Sequence, residues 1–165
     1  NLSVQVHPSD EYALKYEGEY GKTEMWYVID AKEDAGLYVG FKEDENVDKV
    51  RKYLNEGRIL DHLNFFKVKK GDVFFIKSGT IHAIGKGVTL IEIQQNSNLT
   101  YRLYDYNRVD KNGLKRPLHI EKALNVIDYN KYQKEEKRSN LLGKCKYFTS
   151  YKLDASVDKK IYLRH

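Results

Sequence analysis

The sequence predicts a mainly β fold, an antiparallel barrel or sandwich. Three observations carry this. Runs of β-branched and aromatic residues of strand length recur at Met25–Ile29, Gly36–Phe41, Val73–Ile76 and Val88–Ile93. Turn residues separate them, at Lys70-Gly71-Asp72, Ser78-Gly79-Thr80 and Gly85–Gly87. Helical spacing of apolar residues is confined to short segments between strands.

In chain order, Leu2, Val4 and Val6 alternate with Ser3, Gln5 and His7, a strand with one polar face. Pro8 ends it, since proline has no N–H for a ladder, and Pro8-Ser9-Asp10 caps a short helix over 11–16. Strands follow at 25–29 and 36–41, joined by a charged turn at 30–34. Val47, Val50 and Leu54 then take helical spacing between Asn46, a good N-cap, and Gly57, a good stop. Ile59, Leu60 and Leu63 predict a second short helix, so a small helical insertion occupies about 46–63. Strands return at 65–68, 73–76, 88–93 and 103–106, and a helix is expected over 119–126. Residues 128–144 are polar and charged and read as a linker or exposed loop. Residues 145–165 read as the start of a second β domain, with strands at 147–153 and 160–163. The main core therefore spans 1–127.

The chain has 165 residues, 41% apolar and 32% charged, enough for a core of one domain or slightly more. Its +5 formal charge is interleaved with acids and gives a modest pull toward anionic ligands such as sugar phosphates. No dense basic run or recognition motif points to nucleic acid. No segment is long and apolar enough to span a membrane as a helix. The single Cys145 excludes an internal disulfide framework and fits a reducing, cytoplasmic setting. Oligomeric state is left open.

Four side chains form a plausible divalent-metal set. Gln5 and His7 share a strand face, Glu24 precedes a strand, and His82 follows the Gly79 turn. A lone histidine in a β segment is more often an ordinary half-buried residue, so spacing by itself is weak. Glu92 stands out because an unpaired carboxylate in an apolar strand is costly. Trp26 reads as core, and His62, His119 and His165 fit no pattern.

The run from Gly71 through Lys77-Ser78-Gly79 to His82 resembles the second motif of the cupins, with Lys77 where proline is usual. More specifically, SVQVHP, GKTEMWYV, GTIHAIGKG and QQNSNLTYRLYDYNR resemble class I mannose-6-phosphate isomerases of the Bacillus-like form. The likeness covers residues 1–127 best, and the chain reads as the central part of such an enzyme. It implies a cupin-type jelly roll and a zinc-dependent isomerase interconverting mannose 6-phosphate and fructose 6-phosphate through an enediol. It implies one zinc ion on Gln5, His7, Glu24 and His82, with Lys22, Glu92 and Arg102 catalytic. Ser3 and Arg108 match phosphate-binding positions, Arg108 standing where relatives carry lysine. The base is either Glu92 or Lys22. Two other readings share these residues: a metal-binding cupin such as an oxygenase, with His7, Glu24 and His82 as a facial triad, and a non-catalytic sugar-binding module.

Overall fold

The protein is described by a computed structural model that covers residues 2–134 and 140–153. Two antiparallel sheets face each other. The larger has five strands in the order β4-β3-β6-β1-β8: Leu63–Lys67, Gly36–Phe41, His82–Ile84, Val4–Val6 and Tyr101–Tyr104. The smaller has three, β5-β2-β7: Val73–Ile76, Glu24–Ala31 and Val88–Gln94. This is the mainly β, cupin-type arrangement expected, and no helix among the described residues is long and apolar enough to cross a membrane.

The period-2 alternation of β1 works on two buried faces. Val4 and Val6 pack with Leu103, Ala123 and Leu124 on the helical side of the large sheet. Ser3, Gln5 and His7 are turned the other way, between the sheets, and are buried too. The space between the sheets is divided. One part is apolar, with Trp26, Val28, Phe74 and Ile76 of the small sheet meeting Leu37 and Val39 of the large one. The rest holds the polar side chains of β1.

The helices arise as their caps predict. Ser9 Oγ accepts from the Tyr12 N–H at the start of α1 (Asp10–Tyr16). Asn46 Oδ1 accepts from the Lys49 N–H at the start of α2 (Val47–Asn55), and Gly57 ends that region at φ +68°. A 3₁₀ turn at Ile59–His62 completes the expected insertion, and α3 is Ile120–Leu124.

Several boundaries move for physical reasons. β2 runs on through the charged turn to Ala31, because β7 pairs with it as far as Ala31↔Val88. β8 begins at Tyr101 rather than Leu103. It cannot reach Tyr106, because Tyr106 and Asn107 take φ of +55° and +53° and turn the chain. Within the expected linker, residues 128, 130, 131, 133 and 134 are exposed as read, but two tyrosines dock. Tyr132 N–H donates to Phe41 O at 3.0 Å and Tyr129 stacks on Phe41. Farther on, β9 (Leu141–Lys144) pairs with β10 (Thr149–Tyr151). That hairpin lies on the outer face of the small sheet, with Phe148 against Phe75. Aromatic residues in a polar segment account for the docking that composition concealed. The strand expected at 160–163 lies outside the described residues.

One glycine holds the loop before β2 in place. A Cβ on Gly21 would stand 2.4 Å from Pro8 O, against backbone that cannot yield cheaply. Lys22 N–H donates to the same Pro8 oxygen at 3.0 Å, so this contact sets where Lys22 and Glu24 enter. Gly21→Ala is expected to lower unfolding stability by about 1–3 kcal/mol, the usual cost of overpacking. Urea denaturation of the variant beside the wild-type chain checks this.

Candidate metal centre

Register across the large sheet builds one side of the site. Gln5 of β1 lies opposite His82 of β6 on one side and opposite Arg102 of β8 on the other. The row His82–Gln5–Arg102 thus crosses three adjacent strands on one face. The facing sheet supplies Glu24, Trp26 and Glu92; Trp26 and Glu92 are register partners on β2 and β7.

His7, Glu24 and His82 converge. One ligand atom from each lies within 4.8 Å of the others, and all three residues are buried. His7 Nε2 stands 3.0 Å from Glu24 Oε1, and His82 Nε2 4.0 Å from Glu24 Oε2. The first separation is within hydrogen-bonding distance. By direction it is no hydrogen bond, and neither atom has a hydrogen-bond partner. Direction is the better guide, since it shows where the lone pairs point. Lys22 Nζ, 2.9 Å from the same oxygen, does not satisfy it either.

The outer nitrogens of both rings are fixed. His7 Nδ1–H donates to Leu99 O and His82 Nδ1–H donates to Thr80 O, each at 2.8 Å. This is how metal-binding imidazoles are oriented: the second nitrogen is tied to a carbonyl and the inner one keeps its lone pair. Burial, and then His7, pushes His82 down to about 4, so its ring is neutral at pH 7. Burial by itself would raise the Glu24 carboxyl, but the close contact with His7, then His82 and Lys22, outweighs it and holds the carboxyl below the ordinary 4.5. A neutral imidazole and an ionised carboxylate are the protonation states a cation requires. Ligands about 2.0–2.2 Å from one zinc-like ion stand roughly 3–4 Å apart, and the two His–Glu24 separations, each to a different carboxylate oxygen, lie in that range.

The other expected residues stand around this cluster. Gln5 Nε2–H donates to His82 Nε2 at 3.3 Å, while its Oε1 accepts from Ser3 Oγ–H at 3.2 Å. Gln5 thus turns nitrogen, not oxygen, toward the centre. Arg102 is not at the cluster. Its Nε–H donates to Ser3 Oγ at 3.2 Å, so it joins the centre through Ser3 and Gln5. Glu92 is about one-third exposed, not sealed in a core, yet burial and then the Glu24 charge raise its carboxyl above the ordinary 4.5. Lys22 Nζ is 4.0 Å from Glu92 Oε1. Arg108 lies apart from the cluster, ion-paired with Asp105 beside Arg116.

Trp26 was read as core and is fully buried, but it also acts on the site. Its Nε1–H donates to Glu24 Oε2 and to Glu92 Oε2, both at 3.0 Å. The signal was there: Trp26 is two residues past Glu24 on one strand face. Asp105, which could have paired with Arg102, holds Arg108 and Arg116 instead.

A divalent ion added to metal-free wild-type protein should raise its thermal midpoint, since it binds only the folded cluster; 100-fold excess over Kd stabilises by about 2.7 kcal/mol. His82→Ala should lose about 10²-fold or more in ion affinity and most of that thermal shift. Metal titration followed by calorimetry checks both.

No family model matches the chain. Curated relatives do. Mannose-6-phosphate isomerase ManA of Bacillus subtilis is 43% identical over 94% of this chain. The mannose-6-phosphate isomerase of Streptococcus mutans is 42% identical over 97%. The chain spans about half the length of these relatives, 52% and 53%. The crystal structure of the mannose 6-phosphate isomerase from Bacillus subtilis superposes with a TM-score of 0.80 at 38% identity, over 90% of this chain and 50% of that one. In sequence and in fold, this chain is therefore similar to mannose-6-phosphate isomerases, and the likeness extends beyond the 1–127 stretch its four motifs implied.

Proposed function

We propose that the chain carries the catalytic core of an aldose–ketose isomerase acting on mannose 6-phosphate and fructose 6-phosphate. The observation that carries this reading is the composite site. A cluster of buried, cation-ready ligands is linked through Gln5 and Ser3 to Arg102 and faces Glu92 and Lys22 across the sheets. The named relatives supply the substrate class. A bare facial triad would need neither Arg102 nor Glu92 where they stand.

The ion is proposed to be zinc, held by His7, Glu24 and His82. A half turn of the Gln5 amide would bring its oxygen inward as the fourth ligand, while Ser3 Oγ accepts as readily as it donates. When bound, the ion supplies polarisation and orientation of the sugar oxygens at carbons 1 and 2.

The reaction moves one proton between those carbons through an enediol. Glu92 is the base in this reading. Trp26 fixes its Oε2, which leaves Oε1 for the substrate, and its raised carboxyl is a stronger proton acceptor than an ordinary one. Lys22, ion-paired with Glu24 and 4.0 Å from Glu92, places positive charge beside the carboxylate that takes up the proton. Arg102 faces the charge that develops on the enediolate. Arg108 is the proposed phosphate contact, a charge-assisted donor; Ser3, buried and engaged by Gln5 and Arg102, serves as the link between them and not as a phosphate contact.

Two outcomes are expected in the intact protein, followed by a coupled assay with mannose 6-phosphate. Arg102→Ala keeps its metal and loses about 10²-fold or more in turnover, the scale for one transition-state donor. The pH profile of kcat/KM shows an acid limb, because the base must be ionised to act. Glu92→Gln removes that limb together with most of the turnover. Wild-type turnover in either variant at full metal content overturns the assignment.

A further inference from the structure

Arg102 lies on β8, the edge strand of the large sheet, with β1 on one side and, among the described residues, no strand on the other. An edge exposes N–H and C=O groups that need partners. The chain returns to cover it. After β8 it turns through Asp110–Leu114, where Asp110 N–H donates to Leu114 O at 2.8 Å, and comes back along β8. Arg116 is anchored first, ion-paired with the buried Asp105. Pro117 O then accepts from Arg102 Nη1–H at 3.0 Å. His119 N–H donates to Arg102 O at 2.7 Å, and Arg102 N–H donates to His119 Nδ1 at 3.2 Å. An imidazole lone pair stands where the carbonyl of a neighbouring strand would be.

We propose that His119 is a positioning residue for Arg102, the inner end of an Arg116–His119 strap that fixes both the backbone and the guanidinium of that arginine. This rests on the reading that Arg102 faces the reacting sugar carbons. Held by Ser3 Oγ through Nε–H and by Pro117 O through Nη1–H, the guanidinium plane is fixed at two points. Such preorganisation is what a donor acting on developing charge requires. The His119 ring keeps its lone pair at neutral pH. Burial lowers it from the usual 6.5, Arg102 and Lys122 act in the same sense, and Glu17 opposes them. The Tyr101 ring, 6.3 Å away, is the aromatic neighbour.

The test compares His119→Leu with His119→Asn in the intact, metal-loaded protein. Asparagine Oδ1 occupies the place of Nδ1 and can accept the same N–H; leucine cannot. His119→Leu is expected to speed amide exchange at Arg102 about 10-fold or more and to lower kcat by a similar factor. KM, metal content and exchange elsewhere should stay unchanged, which also shows that the variant is folded. His119→Asn should restore both quantities. In an Arg102→Ala background, His119→Leu should cost no further turnover. Wild-type exchange at Arg102 in His119→Leu, or an equal loss of turnover in the Arg102→Ala background, overturns the proposal. If wild type does not turn over mannose 6-phosphate, the isomerase reading fails, and the exchange comparison still decides the positioning role.

Discussion

The structure turns on the 3.0 Å approach of His7 Nε2 to Glu24 Oε1. It joins β1 of one sheet to β2 of the other inside a protein interior, and it is not a hydrogen bond. A buried polar atom without a hydrogen-bond partner costs about 1–3 kcal/mol, and the Lys22 ammonium 2.9 Å from Glu24 Oε1 offsets this for the carboxylate alone. A fold retains such a pair when something shared lies between them, and a cation is the group that satisfies two lone pairs at once. The tying of both Nδ1 atoms to backbone carbonyls has the same logic, since it leaves the rings no other use for their inner nitrogens.

The rest of the fold serves this contact. β1 needs both faces buried, so α1, α2 and α3 cover one side while the small sheet covers the other. Pairing on both edges of β1 then places His82 and Arg102 beside Gln5 without any loop having to carry them. Sites on strands are held more firmly than sites on loops, which suits a donor that must meet charge at one position. Trp26 extends the order to the facing sheet: one indole N–H spans two carboxylates, and so sets the place of Glu92 relative to Glu24.

Much of this was legible in the sequence. The alternation of Leu2, Val4 and Val6 with Ser3, Gln5 and His7 gave the polar face, and the Gly79 turn marked where His82 enters. Asn46 and Gly57 bounded α2 because capping is local chemistry. What was not legible depends on partners distant in sequence. Composition cannot tell that Tyr129 and Tyr132 dock on β3, and 128–144 therefore read as exposed. Nothing local marks His119 as the partner of an edge strand 17 residues earlier. Gln5 lies beside the cluster, but which end of its amide faces inward is a matter of hydrogen bonding, not of pattern. Glu92 reads as a buried carboxylate in sequence; in the structure it is a partly exposed one near the Glu24 carboxylate.

The central claim is that His7, Glu24 and His82 form one cation site. X-ray absorption at the zinc edge of the loaded intact protein tests it most directly. The account predicts a first shell of two imidazole nitrogens with the remainder oxygen, and one imidazole fewer in His82→Ala. A shell of oxygen alone, or an imidazole signal unchanged by His82→Ala, would place the ion elsewhere and contradict it.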